Sequence, residues 1–306
     1  MKISKSSRKK SAAEEVAQIV FTICASFTII AVLSIMIYMI VNGTPALLKV
    51  GIKEILFGIE WRPTASEPKY GILYVVLTSI VGTFMSILIG VPIGILTAVF
   101  LAEVAPKRLS AIVKPAVELL AGIPSVIYGL LGIMVLNPIM YKVELTLFKD
   151  SQTHQFTGGA NLISAVIVLA VMILPTVINM SETAIRAVHP SLKASSLALG
   201  ATHIQTIFHV ILPAAKSGIL AAIMLGVGRA IGEAMAITLV SGSSVNIPLP
   251  FNSVRFLTTA LVSEMGYASD LHREVLFTIG LVLFAFIMII NIVMEKMIKN
   301  GGNERA

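Results

Sequence analysis

Six long apolar runs restrict what this chain can fold into. Each has at least 20 residues, enough at about 1.5 Å per residue to cross about 30 Å of hydrocarbon as a helix. Lipid offers the backbone no hydrogen-bond partners, and the runs are far longer than barrel strands. The runs cover residues 16–41, 72–101, 111–140, 161–180, 214–240 and 275–297. The sequence therefore predicts an all-α polytopic membrane protein with six transmembrane helices.

The composition agrees with a chain that has lipid as its main solvent. Of its 306 residues, 56% are hydrophobic and only 13% are charged, which leaves more apolar surface than a water-soluble domain can bury. The net charge of +7 comes from basic residues that lie between the apolar runs, which argues against nucleic-acid binding. We divide the chain into a basic N-terminal segment (1–15), a transmembrane domain (16–297) and a tail (298–306).

The basic residues also predict an orientation. With the N-terminus in the cytoplasm, fourteen of the 23 Lys and Arg residues lie inside, eight lie outside, and Arg229 lies within a span. The connecting loops are short enough for the positive-inside rule to apply. We therefore expect both termini, and the long loop at 181–213, to be cytoplasmic.

Two opposite charges lie within the fifth apolar run. Arg229 and Glu233 are four residues apart, which places them on one face of a helix. Inserting either charge alone costs roughly 2.5 to 3.5 kcal/mol, so both should face protein or water. A guanidinium offers forked donors to phosphate-like oxygens, so we interpret Arg229 as a contact for an anionic substrate and Glu233 as its support. The alternative is a structural ion pair that fixes the helix register.

The same run carries a ridge of small residues, which would let the backbone of another helix approach closely. The ridge consists of Gly218, Ala222, Gly226, Ala230 and Ala234. Glu118, near the predicted inner end of the third run, is a further pathway candidate. Its position suits a solvated, snorkelling side chain equally well.

The histidines and the aromatic residues beside the second run are interpreted as structural. The five histidines lie in predicted loops at spacings that form no recognisable ligand set, so we expect them to be solvated and predict no metal site. Trp61, Tyr70 and Tyr74 have positions typical of anchors at a membrane interface.

The residues of the loop at 181–213 indicate two short helices. Pro190 can open the first, and Gly200 can end it in a left-handed conformation. Thr202 and Gln205 form a capping-box pattern for the second, which we expect Pro213 to stop.

The spacing in this loop resembles the EAA loop of ABC importer permeases. There, Glu-Ala-Ala is followed by three residues, a glycine, nine residues and Ile-x-Leu-Pro. The matching positions here are Ala194, Ser195, Ser196, Gly200, Val210, Leu212 and Pro213. Ala194 and Ser196 depart from the motif, whereas the spacing from glycine to Leu-Pro is intact. The resemblance implies that these residues couple the chain to an ATPase.

Further segments make the resemblance narrower and extend it over nearly the whole chain. They are EWRP at 60–63, YGI at 70–72, VPIG at 91–94, LAE at 101–103, LAGIPSVIYG at 120–129 and GRAIGE at 228–233. Together they resemble the PstC family of phosphate importer permeases. That resemblance implies a type I (MetI-like) permease bundle in a bacterial plasma membrane, with Arg229 and Glu233 on the phosphate route.

The resemblance also implies a set of partners. They are a homologous permease (PstA-like), two copies of an ATPase (PstB-like) and a phosphate-binding protein (PstS-like). The sequence contains no G-x-x-x-x-G-K-[ST] loop, so we expect ATP and magnesium to be bound by the ATPase, and we expect this chain to be non-catalytic and without a cofactor of its own.

Three other functions stay open at this point. One is a secondary anion transporter driven by an ion gradient, with Glu233 or Glu118 as the titrating group. Another is an ABC permease for a different oxyanion, because one arginine specifies an anion without separating phosphate from sulfate or molybdate. A non-transporting scaffold would leave the cost of burying Arg229 and Glu233 unexplained unless they are purely structural.

Overall fold

The computed structural model describes residues 12–303, with side chains from 14 to 296. Residues 1–11 of the predicted N-terminal segment and residues 304–306 of the predicted tail lie outside these residues. In chain order the elements are α1 (Ala12–Lys49), α2 (Ile52–Phe57), β1 (Trp61–Arg62), β2 (Lys69–Tyr70), α3 (Leu73–Val99), α4 (Lys107–Gly122), α5 (Ser125–Leu131), α6 (Asn137–Leu147), α7 (Leu162–Arg186), α8 (Pro190–Ala198), α9 (His203–Thr206), α10 (Leu212–Gly232), α11 (Met235–Val240), α12 (Leu257–Glu264) and α13 (Asp270–Asn303). Three π turns, Phe100–Val104, Gly132–Leu136 and Ile207–Ile211, extend α3, join α5 to α6 and join α9 to α10.

The prediction of six transmembrane helices is confirmed. Within the described residues, six helices are long and apolar enough to cross a membrane. They are Glu14–Lys49, Leu73–Val104, Ser125–Leu147, Leu162–Arg186, His203–Gly232 and Asp270–Lys296. We number these spans one to six.

The predicted bounds of the third span are wrong. We expected residues 111–140, but the span begins at Ser125, and the stretch before it is the separate helix α4. Ile123 and Pro124 between them are extended, because a proline disfavours the helical conformation in the residue that precedes it. Helix α4 begins with the exposed Lys107 and Arg108, which suits a helix outside the hydrocarbon.

Helix α7 is the centre of the bundle, packed between α3 and α10. Glycines on both neighbours allow a close approach, which is how these helices bury their apolar faces. A Cβ added to Gly94 of α3 would lie 2.8 Å from Val177 Cγ1, and one added to Gly226 of α10 would lie 2.9 Å from Val177 Cγ2. One added to Gly218 would lie 2.5 Å from the Cβ of Ala184.

The first span packs against the last. The Thr278 hydroxyl donates to the Gly43 carbonyl at 2.8 Å, and the rings of Tyr38 and Phe277 meet edge to face at 5.4 Å. These contacts lie in the second half of α1. The apolar side chains of its first half are exposed, as Phe21 and Phe27 show at 73% each.

The connections between spans form two ends of the bundle. We call the end that carries α8 and the start of α4 the α8 end, and the end that carries β1, β2 and α12 the hairpin end. At the hairpin end the buried Glu264 carboxylate accepts a hydrogen bond from Trp61 Nε1 at 3.1 Å and pairs with Arg255. Tyr70 is only 5% exposed, so its interpretation as an interfacial anchor is wrong.

One histidine is buried and another is partly buried, whereas both were expected to be solvated. His272 lies in α13 and contacts the Glu264 carboxylate through Nε2 at 2.7 Å. The ring of His154 stacks on Phe148, and its Nε2 lies 2.8 Å from the fully buried Glu144. Among the described residues, no group of three or more His, Cys, Asp and Glu is arranged to hold a metal ion.

The packing of α3 on α7 gives a prediction about stability. In the Gly94→Ala variant the new methyl group would overlap Val177, a stiff side chain that is fully buried. We expect a loss of about 1 to 3 kcal/mol in the free energy of unfolding, measured as a lower melting temperature by circular dichroism in detergent.

The matched control is Gly228→Ala in α10, where no atom lies within 4 Å of an added Cβ. That change should be neutral or slightly stabilising, because alanine favours a helix over glycine by about 0.5 to 1 kcal/mol. Equal melting temperatures for the two variants would contradict the packing account.

Candidate functional site

Arg229 lies in the last turn of α10, inside the fifth span. Its Nη1 lies 3.5 Å from the hydroxyl oxygen of Thr176 on α7, a long contact that engages one of the five guanidinium N–H groups. Both side chains are partly buried. Among the described residues, no carboxylate lies within ion-pair distance of Arg229. The described side chains therefore leave this charge without a counterion.

Tyr128 on α5 is a third member of this region. Its hydroxyl donates to the Leu120 carbonyl at 2.7 Å, across the break between α4 and α5. Its side chain belongs to the same buried cluster as Ile173 of α7 and Ala230, the residue that follows Arg229. Helices α5, α7 and α10 thus meet next to Arg229.

The sequence analysis did not select Thr176 or Tyr128 as site residues. The sequence feature that could have indicated Thr176 is its hydroxyl group next to Pro175 within an apolar run.

Our expectation that Arg229 and Glu233 share a helix face is wrong, because α10 ends at Gly232. Glu233 has an extended backbone with φ −72° and ψ 131°. Its carboxylate accepts a hydrogen bond from the backbone N–H of Ala236 at 2.9 Å, which caps the start of α11. Its carbonyl accepts from the Thr258 hydroxyl at 2.7 Å. These bonds replace those that the helix would have made, which allows it to unwind at this depth.

The surface next to Arg229 is open. Gly228 and Gly232 lie one turn apart on α10, both are exposed, and a Cβ added to either would meet no atom within 4 Å. Among the described residues, no close contact therefore requires a glycine at either position. An incoming ion or another helix can reach the backbone beside the guanidinium here.

The predicted ridge of small residues divides at the helix break. Gly218 and Gly226 face α7, as the distances to Ala184 and Val177 show, and Ala222 and Ala230 are buried on α10. Ala234 lies beyond the end of α10 and is not part of that helix.

Glu118 lies on α4, a different helix from the one that carries Arg229. Glu118 is exposed on α4 and lines a cavity of about 660 Å³ at the α8 end, together with Lys107, Lys114 and Arg186. Among the described lining residues of this cavity, neither Arg229 nor Glu233 is present. The role of Glu118 in a pathway stays a prediction.

The loop at 181–213 forms the helices predicted for it. Ala194, Ser195 and Ser196 lie on α8, Gly200 has φ +89°, and Thr202 with Gln205 forms the capping box of α9. The expectation that Pro213 stops the second helix is wrong. Pro213 is the second residue of α10, and α9 continues through the π turn that contains Val210 into the fifth span, so the proline does not stop the helix.

Helices α8 and α9, of which α9 is the first turn of the fifth span, present exposed apolar side chains at the α8 end. None of the residues of α8 is buried. Leu199, in the turn after it, is 90% exposed, and Ile204 on α9 is 69% exposed. A cluster of this kind on a polar loop is typical of a protein–protein contact.

Comparison with known proteins identifies the class that this bundle represents. It is the membrane-spanning permease subunit of an ABC importer. A family model described as "Binding-protein-dependent transport system inner membrane component" matches residues 90–299, more than half of the chain, so the chain belongs to that family.

Curated relatives match over nearly the full length. The chain is 39% identical over 295 residues to a probable ABC transporter permease protein, YqgH, of Bacillus subtilis, covering 93% of this chain and 92% of that protein. It is 32% identical over 300 residues to the phosphate transport system permease protein PstC of Xylella fastidiosa, covering 94% and 92%. It is 31% identical to PstC of Haemophilus influenzae over 284 residues, covering 90% and 89%.

A solved structure shares the fold. It is a crystal structure of a bacterial alginate ABC transporter in complex with an alginate pentasaccharide-bound periplasmic protein. The TM-score is 0.63 at 17% identity, and the match covers 94% of this chain and 97% of that one. At this identity the likeness shows the fold alone, which agrees with the predicted type I permease bundle.

The capping bond of Glu233 gives a second prediction. In Glu233→Leu the Ala236 N–H loses its acceptor, and we expect a loss of about 0.5 to 2 kcal/mol in stability. Glu233→Gln keeps an oxygen at this position and should lose less. The melting temperatures of both variants in detergent provide the measurement, and a larger loss for Glu233→Gln would contradict the capping role.

Proposed function

We propose that this chain is the permease subunit through which an ATP-driven importer moves inorganic phosphate across a bacterial plasma membrane. The observation that carries the proposal is the guanidinium of Arg229, held within a span beside an open surface and without a carboxylate partner among the described residues. The family membership supports the ABC class, and the PstC relatives support phosphate as the substrate.

Arg229 suits the binding of an anion in transit. Placing an unneutralised charge in a span is costly, so a chain that carries one is expected to use it. A guanidinium presents forked donors that match phosphate oxygens, and the single contact to Thr176 leaves donors for a substrate. We propose that Glu233 acts on the same route by capping α11, which holds the unwound backbone one turn beyond Arg229.

We further propose that the α8 end and both termini face the cytoplasm. The α8 end carries the basic start of α4, together with Arg186 and Lys193. This charge bias supports the orientation through the positive-inside rule.

The partners follow from the same proposal. We propose that a separate ATPase docks on the surface of α8 and α9, where Leu199 and Ile204 are exposed, and that closure of the ATPase moves the spans. The residues assigned to this contact are Ala194, Ser195, Ser196, Gly200, Val210, Leu212 and Pro213. A second, homologous permease, a second ATPase copy and an extracytoplasmic phosphate-binding protein would complete the complex, with ATP hydrolysed only on the ATPase.

Replacing Arg229 tests the anion contact. Removing a hydrogen bond to a charged group costs about 1.5 to 3 kcal/mol, so Arg229→Gln should lower phosphate uptake at least about tenfold. The measurement is uptake of labelled phosphate by proteoliposomes that contain the whole complex and ATP, with ion gradients collapsed by ionophores.

Two comparisons make this test specific. Arg273→Gln removes an exposed cation at the hairpin end and should leave uptake within about twofold of the unmodified complex. Purification of the Arg229→Gln complex should recover all subunits in the usual ratio. Loss of assembly would favour a structural role for Arg229, and uptake that disappears with the ion gradients would favour a secondary transporter.

The turn after α8 gives a test of ATPase docking. Gly200 has φ +89°, so a β-branched residue there is strained by about 1 to 3 kcal/mol and should distort the surface around Leu199. We expect Gly200→Val to reduce the amount of ATPase that co-purifies with the tagged chain while membrane insertion is unchanged.

The matched control is Gly158→Val at the hairpin end. Gly158 has φ +67°, and like Gly200 it has no atom within 4 Å of an added Cβ, so the local strain is comparable. This variant should retain the ATPase. Equal retention by both variants would contradict docking at the α8 end.

A further inference from the structure

The second span ends in a π turn whose backbone lacks one donor. In Phe100–Val104 the Ala105 N–H donates to the Phe100 carbonyl at 2.7 Å, five residues back, instead of to Leu101. The next residue, Pro106, has no N–H to offer. The Leu101 carbonyl therefore needs a donor from elsewhere, and Nη2 of Arg186, at the end of α7, supplies it at 2.8 Å.

The same turn is held from a second side. Glu103 has a side chain that is only 10% exposed, and its carboxylate pairs with the Lys193 ammonium on α8. Two cations from different elements thus bind the π turn at the end of the second span. Arg186 donates to the Leu101 carbonyl, and Lys193 pairs with the Glu103 carboxylate. One belongs to the fourth span and the other to the loop helix that we propose as the ATPase contact.

Helix α8 is otherwise attached to α9 and to the π turn at Ile207–Ile211. None of its residues is buried, so it gains little from apolar packing. Among its described side-chain contacts, the hydroxyls of Ser196 and Thr206 meet at 2.9 Å, which ties α8 to α9, and the Lys193 pair ties it to the second span. A movement of α8 can therefore reach the second span directly through this ion pair.

A continuous set of contacts leads from there to Arg229. The second span lies tightly against α7, where Cβ atoms added to Gly90 and Gly94 would meet Ile173 and Val177 at 2.7 and 2.8 Å. One residue before Val177 is Thr176, the hydroxyl that contacts Arg229. Close-packed helices of this kind move together rather than deforming.

We infer that Lys193 and Glu103 form a positioning pair that transmits movement of α8 to the second span and so to the substrate route. The inference rests on the proposed function, because it needs an ATPase that moves α8. Neither residue contacts the substrate in this assignment. Their loss should uncouple ATP hydrolysis from transport and leave ATPase binding unchanged.

Charge exchange tests the pair. Lys193→Glu and Glu103→Lys are made singly and together in the reconstituted complex, and phosphate uptake is divided by ATP hydrolysed. Each single variant should lower this ratio about fivefold, and the double variant should restore it to within about twofold. Lys193→Arg should keep the ratio, and Lys193→Gln replaces Lys193→Glu if charge reversal lowers the yield of the complex.

The control is Lys216→Glu, the same charge reversal at an exposed position on α10, which should leave the ratio unchanged. If the ATPase co-purifies and the single variants keep the normal ratio, or the double variant stays uncoupled, the pair assignment is overturned and the proposed function stands. If the unmodified chain retains no ATPase, the proposed function itself fails and the pair assignment fails with it.

Discussion

Backbone hydrogen bonding at membrane depth governs the irregular parts of this bundle. A helix in lipid must satisfy its own N–H and C=O groups, so each interruption needs a replacement partner. In this chain side chains supply it: Glu233 caps α11 where α10 unwinds, Tyr128 bonds the Leu120 carbonyl across the break before the third span, and Arg186 bonds the Leu101 carbonyl at the π turn. Each of these polar side chains is held in place by the interruption that it stabilises, and one of them, Glu233, follows Arg229 by four residues.

The sequence predicted the number of spans and the turns of the long loop, because both depend on local features. Apolar length is read directly from residues, and the conformations of Gly200 and of the Thr202 capping box depend on the residues themselves. The interruptions could not be predicted in the same way. Apolar content does not change at Gly232, and the partner of the unwound segment, Thr258, lies 25 residues further along the chain. The four-residue spacing of Arg229 and Glu233 therefore indicated a pair that the backbone does not form.

The residues of the candidate site also differ in whether local sequence features could predict them. Arg229 was recognisable because a cation in an apolar run is costly to insert, whereas Thr176 and Tyr128 become relevant only once three helices meet. The loop residues were recognised by spacing to a family motif, although Ala194 and Ser196 differ from it. The attachment of α8 was not predictable, because Lys193 and Glu103 are 90 residues apart in the sequence. Lys193 lies on α8, and Glu103 lies at the end of the second span.

The contact between α1 and α13 has a consequence for how the bundle is made. Thr278 and Gly43 are 235 residues apart, so α1 can pack against α13 only after the chain between them has been synthesised. Four spans must insert in the meantime while the apolar surface of α1 is solvated by lipid. The packing of α1 on α13 is therefore made only after the spans between them, and a chain truncated before Asp270 would lack it.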